Sequence, residues 1–352
     1  MELYVGGDLS RKRLDWYSVW ADGAECAAGA SPPDSDGLAA LARSWLSLSE
    51  DVVVVIESMT GARFVHDQLE ASGVEVKIAD ARKARVLMDA LSETHGAKTD
   101  RLDARGLSEL GRLDMVPEIW LADPATRQAR ELARFRLHLV RQRTMLKNRI
   151  HQTLITHGVQ RSVSDLFGRC GRERLERLSL PEPWQRSVRV SLELIDHLDE
   201  EIDEIERSLR KSGADHPYLP LLMSVPGIGW ILGFTIASEI GSIERFESPR
   251  KLIGYTGLCP RVLQSGESDR RGPIKRNGPK WLRWALVEAS QNAARNPIYR
   301  ERYERTKKRL GRQKGPKVAQ IDLARKLSEA IWYMLTRNES FAPAGAERRL
   351  AS

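Results

Sequence analysis

Hydrophobic and polar positions divide this chain into three regimes. From residue 2 to 20 apolar residues alternate loosely, which predicts strands over 2–9 and 13–20 around the polar turn Ser10-Arg11-Lys12. After the turn Ser31-Pro32-Pro33-Asp34-Ser35-Asp36-Gly37, Leu38, Leu41, Trp45 and Leu46 recur at helical spacing. The run Val52-Val53-Val54-Val55-Ile56 is apolar at every position, as in a central strand covered on both faces. Thr60-Gly61 opens a helix carrying Phe64, Val65 and Leu69; Gly73 closes it, and 74–79 reads as a short strand. Helices follow through Leu87 and over 99–113. A Pro-bearing linker at 115–126 introduces the second regime: a helix over 127–157, a Gly/Pro-broken stretch over 158–183, and another long helix. In that last helix Leu192, Ile195, Leu198, Ile202, Ile205 and Leu209 step by 3, 3, 4, 3 and 4, close to a heptad. The third regime starts after the linker 211–220, with an apolar helix at 231–240 and another near Pro279 carrying Trp281, Leu282, Arg283 and Leu286.

The expected architecture is α/β plus α. Its boundaries are an N-terminal domain over 1–115, a helical coiled-coil arm over 120–212, a mainly α C-terminal domain over 213–340, and a tail over 341–352. The N-terminal order, β-β-(β)-α-β-α-β-α, suits a ribonuclease-H-like domain with a mixed sheet and helices on both faces. Such a domain brings the ends of its first and fourth strands to a late helix. Asp8 and Glu57 stand at those strand ends, and Lys98-Thr99-Asp100-Arg101-Leu102-Asp103-Ala104 puts Asp100 and Asp103 three residues apart on one helix face. At that spacing Cβ atoms lie roughly 5–6 Å apart, and in water the repulsion costs only a few tenths of a kcal/mol. A solvated helix face therefore explains the pair taken alone. Buried together, the two would repel by about 3 kcal/mol at an effective dielectric of 20, and a cation would be needed. Four convergent carboxylates are a ligand set for two Mg²⁺ ions about 4 Å apart.

Charge changes the picture further along. The 352 residues carry a net +8. Residues 245–317 hold 20 Lys and Arg against 6 Asp and Glu, net +14, which leaves the rest of the chain at −6. A basic block in an otherwise acidic chain points to a polyanionic partner, nucleic acid above all. Within the third regime Ser224-Val225-Pro226-Gly227-Ile228-Gly229 precedes an apolar helix and reads as a helix-hairpin-helix element. Gly227 and Gly229 there permit backbone approach to a phosphate. A tight helix–helix connection would use the same residues. Ser265-Gly266 is expected on a loop among Arg261, Arg270, Arg271, Lys275, Arg276, Lys280 and Arg283, the candidate nucleic-acid contacts. A serine hydroxyl is a poor nucleophile without a base or metal, and no His lies near it in sequence.

Other classes recede. No apolar run approaches the ~20 residues of a membrane span. Met1-Glu2-Leu3-Tyr4 has no basic flank or apolar core of a secretory signal. Cys26, Cys170 and Cys259 are odd in number and far apart, forming neither a disulfide framework nor a zinc motif. The expectation is a cytoplasmic, nucleoid-associated protein without a membrane partner.

Taken together, KTDRLDA, Glu57 after the valine strand, VPGIG, GLCPRVLQSG and NGPKWLRWAL resemble the insertion-sequence-110 family of DEDD transposases, over about residues 4–335. Gly7 stands where that family more usually has a β-branched residue, and Asn277-Gly278-Pro279 replaces an expected Gly-Asn. The resemblance implies a Holliday-junction-resolvase-like domain whose acidic tetrad corresponds to Asp8, Glu57, Asp100 and Asp103. It also implies a serine nucleophile at Ser265 forming a phosphodiester with DNA, and a composite site in which both act. A non-coding bridge RNA pairing with donor and target DNA, and a dimer pairing into a tetramer, belong to the same implication. The expected function is then a recombinase that excises and inserts its own element. The alternatives are a structure-selective, metal-dependent nuclease of the junction-resolving kind and a non-catalytic nucleic-acid-binding remnant.

Overall fold

The computed structural model describes residues 1–91, 99–160, 163–265 and 268–342, with backbone alone at 268–271. Lys98, Gly266 and most of the 341–352 tail lie outside the described residues. The chain forms two compact units, Met1–Leu121 and Ala122–Ser352.

The first unit is built on five strands: β1 (Leu3–Leu9), β2 (Leu14–Trp20), β3 (Glu25–Ser31), β4 (Val52–Glu57) and β5 (Glu75–Ala79). Their order across the sheet is β3-β2-β1-β4-β5. β1, β2 and β3 form an antiparallel meander, whereas β1, β4 and β5 run parallel. The parallel strands need helical crossovers, which α1 (Ser35–Leu46) and α2 (Ala62–Ala71) supply. Asp34 caps α1 by accepting from the Gly37 N–H at 2.8 Å. Leu38, Leu41, Trp45, Val65 and Leu69 cover one sheet face, packing on Leu3, Val5, Val52, Val54 and Ile56. The opposite face is covered by α3 (Ala81–Leu91) and α4 (Asp100–Arg112), through Ala84, Met88, Leu107 and Leu110 on Val55 and Ala79. Burial of both sheet faces explains why all five residues 52–56 are apolar. The expected linker does more than connect: Ile119 N–H donates to the Ile78 carbonyl at 2.8 Å, tying the segment to the edge of β5.

The second unit is mostly helical. α5 (Pro124–Thr156), with Asp123 as its cap, lies antiparallel to α7 (Trp184–Ser212); a short α6 (Arg169–Glu176) sits between them in the chain. Ile195, Ile202, Ile205 and Leu209 are buried in the seam, matching the heptad-like spacing. Arg136–Glu206 and Arg143–Asp199 ion pairs flank it. Phe135 of α5 lies outside the seam and is 46% exposed. α8 (Tyr218–Met223), α9 (Trp230–Ile240), α10 (Pro249–Thr256), α11 (Lys280–Ala293) and α12 (Pro297–Arg337) share a core that includes Leu222, Ile236, Leu252, Leu286 and Leu327. Between α10 and α11 lies an antiparallel ribbon of β6 (Pro260–Ser265) and β7 (Ser268–Ile274). This corrects the expected loop around Ser265. The sequence carries no signal for the ribbon, because β6 is exposed on both faces from Arg261 to Ser265 and no alternation marks it. No described helix is long and apolar enough to cross a membrane.

Candidate active site and nucleic-acid interface

The acidic site is assembled by strand register. β1 and β4 pair in parallel from Leu3↔Val52 to Gly7↔Ile56, so the next step sets Asp8 abreast of Glu57. Side chains alternate along a strand. Gly6 and Val55 face α4, and two residues on, Asp8 and Glu57 share that face. The direction of α4 follows from two close approaches. A Cβ on Gly111 would lie 3.3 Å from Tyr4 and 2.9 Å from Val55, whereas a Cβ on Gly6 would lie 2.9 Å from the Leu107 Cβ and overlap the Ala104 carbonyl. Moving along β1 from Tyr4 to Gly6 therefore moves up α4 from Gly111 towards its N-terminus. One more step of the same face brings Asp8 to the first turn, which holds Asp100 and Asp103.

Thr99 caps that turn, accepting from the Leu102 N–H at 3.3 Å. Two acids in a first turn also suit the helix dipole, worth about 0.3–1 kcal/mol each. Asp100 is exposed and Asp103 mostly covered. Arg85 of α3 donates to the Asp103 carboxylate at 2.8 Å and to Asp89 at 2.9 Å. Asp15 stands directly opposite Asp8 in the β1–β2 register and receives Arg13 at 2.6 Å. Arg13 is held above its ordinary pKa first by that hydrogen bond, then by the charge of Asp15, with Asp100 contributing from further off. Sequence reasoning passed over Asp15 and Arg85. Asp15 could have been found by extending the β1–β2 register through the turn. Arg85 had no sequence signal, since only the packing of α3 against α4 brings it to Asp103.

The register sets Asp8 beside Glu57 on the sheet face that α4 covers, and Asp100 and Asp103 lie in the first turn of that helix. Among the described residues, however, no three His, Cys, Asp or Glu side chains stand close enough to hold an ion. The donor chemistry, carboxylates alone, fits a hard divalent cation. Arg85 occupies Asp103 in this arrangement.

The second unit carries the other candidates. Ser265 ends β6, is exposed, and pairs in register with Ser268. Arg261, Lys275, Arg276 and Lys280 are exposed around the ribbon; Arg270 and Arg271 lie on β7 opposite Leu263 and Val262. Lys280 rests over the Trp281 ring at 4.7 Å. Arg283 is partly spoken for, donating to the Thr256 carbonyl at 3.2 Å, and its pKa is lowered by burial and then by Arg276. The two glycines of the Pro-Gly-Ile-Gly turn part company. Gly227, at φ 91°, packs so closely on α11 that a Cβ would lie 2.9 Å from the Ala293 nitrogen. Gly229 precedes α9 with nothing within 4 Å, leaving its backbone open to approach.

Comparison with known proteins bears on both units. A DEDD-type transposase model for IS110 elements matches residues 5–157. A second model, the transposase IS116/IS110/IS902 family, matches residues 219–304. The chain is 27% identical over 315 residues to a transposase for insertion sequence element IS1328 of Yersinia enterocolitica, covering 85% of this chain and 88% of that one. It is 23% identical over 297 residues to a transposase for IS1111A of Coxiella burnetii, covering 82% and 79% respectively.

Proposed function

Because the chain belongs to the IS116/IS110/IS902 family of insertion-sequence transposases, we propose that it excises and inserts its element by metal-dependent strand transfer through a serine–DNA intermediate. The observation that carries the metal half is the β1–β4 register, which puts Asp8 and Glu57 side by side on the face covered by α4. The sheet order supports a ribonuclease-H-like reading of this unit. Asp8, Glu57, Asp100 and Asp103 would hold Mg²⁺. Bound there, the cation would polarise a scissile phosphate and ease ionisation of a hydroxyl.

The residues have distinct tasks. Asp103 would have to release Arg85 to hold a cation, and Arg85 would keep Asp89 as its partner. Asp8 and Glu57 are held by a sheet whose faces are both packed, so their spacing is rigid. Ser265 Oγ forms a bond to phosphorus as it gives up its proton. The phosphorus–oxygen bond to the departing strand breaks, and that oxygen takes a proton. Reversal by a new strand hydroxyl rejoins DNA without an external energy source. Arg261, Arg270, Arg271, Lys275, Arg276 and Lys280 would hold phosphates and offset charge on the phosphorane. The same basic surface suits a structured guide RNA.

The test uses purified full-length protein, end-labelled element-end DNA, RNA transcribed from the flanking sequence, and Mg²⁺. Denaturing gels should show a protein–DNA adduct that protease removes. Ser265→Ala should abolish adduct and strand exchange, and Ser268→Ala should retain both. Free ends from wild type, with Ser265→Ala still cutting, would establish a hydrolytic nuclease instead.

A further inference from the structure

The helix α12 is not one rod. Gly311 lies at φ 75° and ψ −179°, a conformation open essentially to glycine alone. Two observations show that the chain reverses there. Arg302 donates to both oxygens of Asp322, at 2.7 and 3.0 Å. In a straight helix those residues would stand about 30 Å apart, at 1.5 Å per residue. Gly315 is buried against Lys307, where an added Cβ would lie 3.0 Å from the Lys307 Cα and overlap its carbonyl. Residues 297–310 and 312–337 are therefore two antiparallel arms, clasped by Arg302–Asp322 and closed tightly by Gly315.

The tip of this hairpin is strongly cationic. From 305 to 317 there are seven Lys and Arg and no Asp or Glu. Arg305, Lys308, Arg309, Arg312, Lys314 and Lys317 are all exposed. Among the described residues none of the six has an acidic partner, whereas Lys307 is paired with Glu304. Folding brings these charges from two arms onto one end, which raises their repulsion. Helix polarity sharpens the point. Cations suit the last turn of the first arm, but Arg312 and Lys314 occupy the first turn of the second, where the dipole disfavours them. Among the described residues no acidic side chain pairs with either to compensate for that placement, and a polyanion would.

We propose that the Gly311 hairpin is a phosphate-gripping element for double-stranded DNA, separate from the ribbon that carries Ser265. The tip from 305 to 317 has no aromatic residue, so it lacks the stacking platforms by which proteins hold single strands. An α-helix of about 10–12 Å diameter enters the B-form major groove, about 12 Å wide. The deep, narrow major groove of A-form RNA excludes it. Lys and Arg contacts to phosphate position a duplex without reading its sequence. The inference rests on DNA as the partner of a transposase and is independent of the metal and serine chemistry.

The experiment measures binding by fluorescence anisotropy of full-length protein to a 40-base-pair duplex and to an RNA stem-loop, from 50 to 200 mM salt. The variant replaces Lys308, Arg309, Arg312 and Lys314 with Gln. Because these side chains are exposed and unpaired, and their mutual repulsion is relieved, the variant should melt at or above the wild-type temperature, and Arg43→Gln on the first unit serves as the charge control. Loss of four phosphate contacts should flatten the slope of log K against log salt for duplex DNA by about 3.6, at about 0.9 per contact. Lys314→Arg alone should keep the wild-type slope. Unchanged duplex affinity and slope in the fourfold variant would overturn the proposal. Loss of affinity confined to the RNA would overturn it too, in favour of an RNA-binding hairpin. If the serine reading fails but the slope flattens, the hairpin assignment stands.

Discussion

Gly6→Ala tests whether the contact between β1 and α4 sets the geometry of the acids. Gly6 has an ordinary backbone conformation, absent from the left-handed positions, so the substitution adds a methyl group without backbone strain. That methyl would meet the Leu107 Cβ at 2.9 Å and overlap the Ala104 carbonyl and Ser108 nitrogen. Comfortable carbon–carbon separation is about 3.5–4.0 Å. The helix must back away by about 0.6–1 Å at Leu107 alone, and further at the backbone atoms. Overpacking of this kind costs about 1–3 kcal/mol. Because Asp100 and Asp103 ride on α4 while Asp8 rides on β1, the same shift separates them. A displacement near 1 Å can cost about 10²-fold in rate. Gly7→Ala is the matched control. Its methyl would meet only side-chain tips, Leu14 Cδ1 at 3.0 Å and Ile56 Cγ2 at 3.1 Å, on the face away from α4. Urea denaturation and DNA cleavage should be measured on both variants. Gly6→Ala should lose more stability than Gly7→Ala, and should lose cleavage beyond what its unfolded fraction explains. Gly6→Ala with wild-type stability and cleavage would refute the close-approach argument and with it the assigned direction of α4.

Asp103→Asn should lower Mg²⁺ affinity by at least about 10–100-fold and suppress cleavage, with nucleic-acid binding retained; calorimetric Mg²⁺ titration is the check, and Arg85→Gln should raise that affinity by releasing Asp103. Glu239, fully buried, receives Arg134 at 2.7 and 2.9 Å, so Glu239→Ala should cost about 1.5–3 kcal/mol by removing two charge-assisted hydrogen bonds from a partly exposed arginine, read as the shift of the urea midpoint. His216 accepts from the Tyr218 N–H at 3.2 Å and its pKa is lowered by burial. Its folded pKa lies below its unfolded one, so its stabilising contribution is complete above about pH 6.5 and is lost as pH falls below that value. Melting temperatures from pH 8 to 5 should show a decline that His216→Gln makes shallower.

Much of the fold was legible from local pattern. The all-apolar run at 52–56 announced a strand covered on both faces, and the near-heptad from Leu192 to Leu209 announced a long amphipathic helix. Both signals are local because burial on a periodic element writes itself into consecutive residues. The acids at Asp8, Glu57, Asp100 and Asp103 could be nominated from strand ends and a helix turn. Gly7, unusual within a strand, is accounted for by the Leu14 and Ile56 side chains that fill its space.

Tertiary structure decided the rest. Register alone sets Asp8 beside Glu57, because neither strand records in its own residues which neighbour it will pair with. Gly6 and Gly111 admit α4 to the sheet, a requirement visible only when the partner backbone is in place. The ribbon at β6 and β7 was hidden because exposure on both faces erases alternation. The reversal at Gly311 was hidden because the arms on either side are both helical in pattern. The sequence determined which residues could carry charge, metal or a nucleophile. The packing of distant segments, each stabilised by burial against the other, determined which of those residues meet.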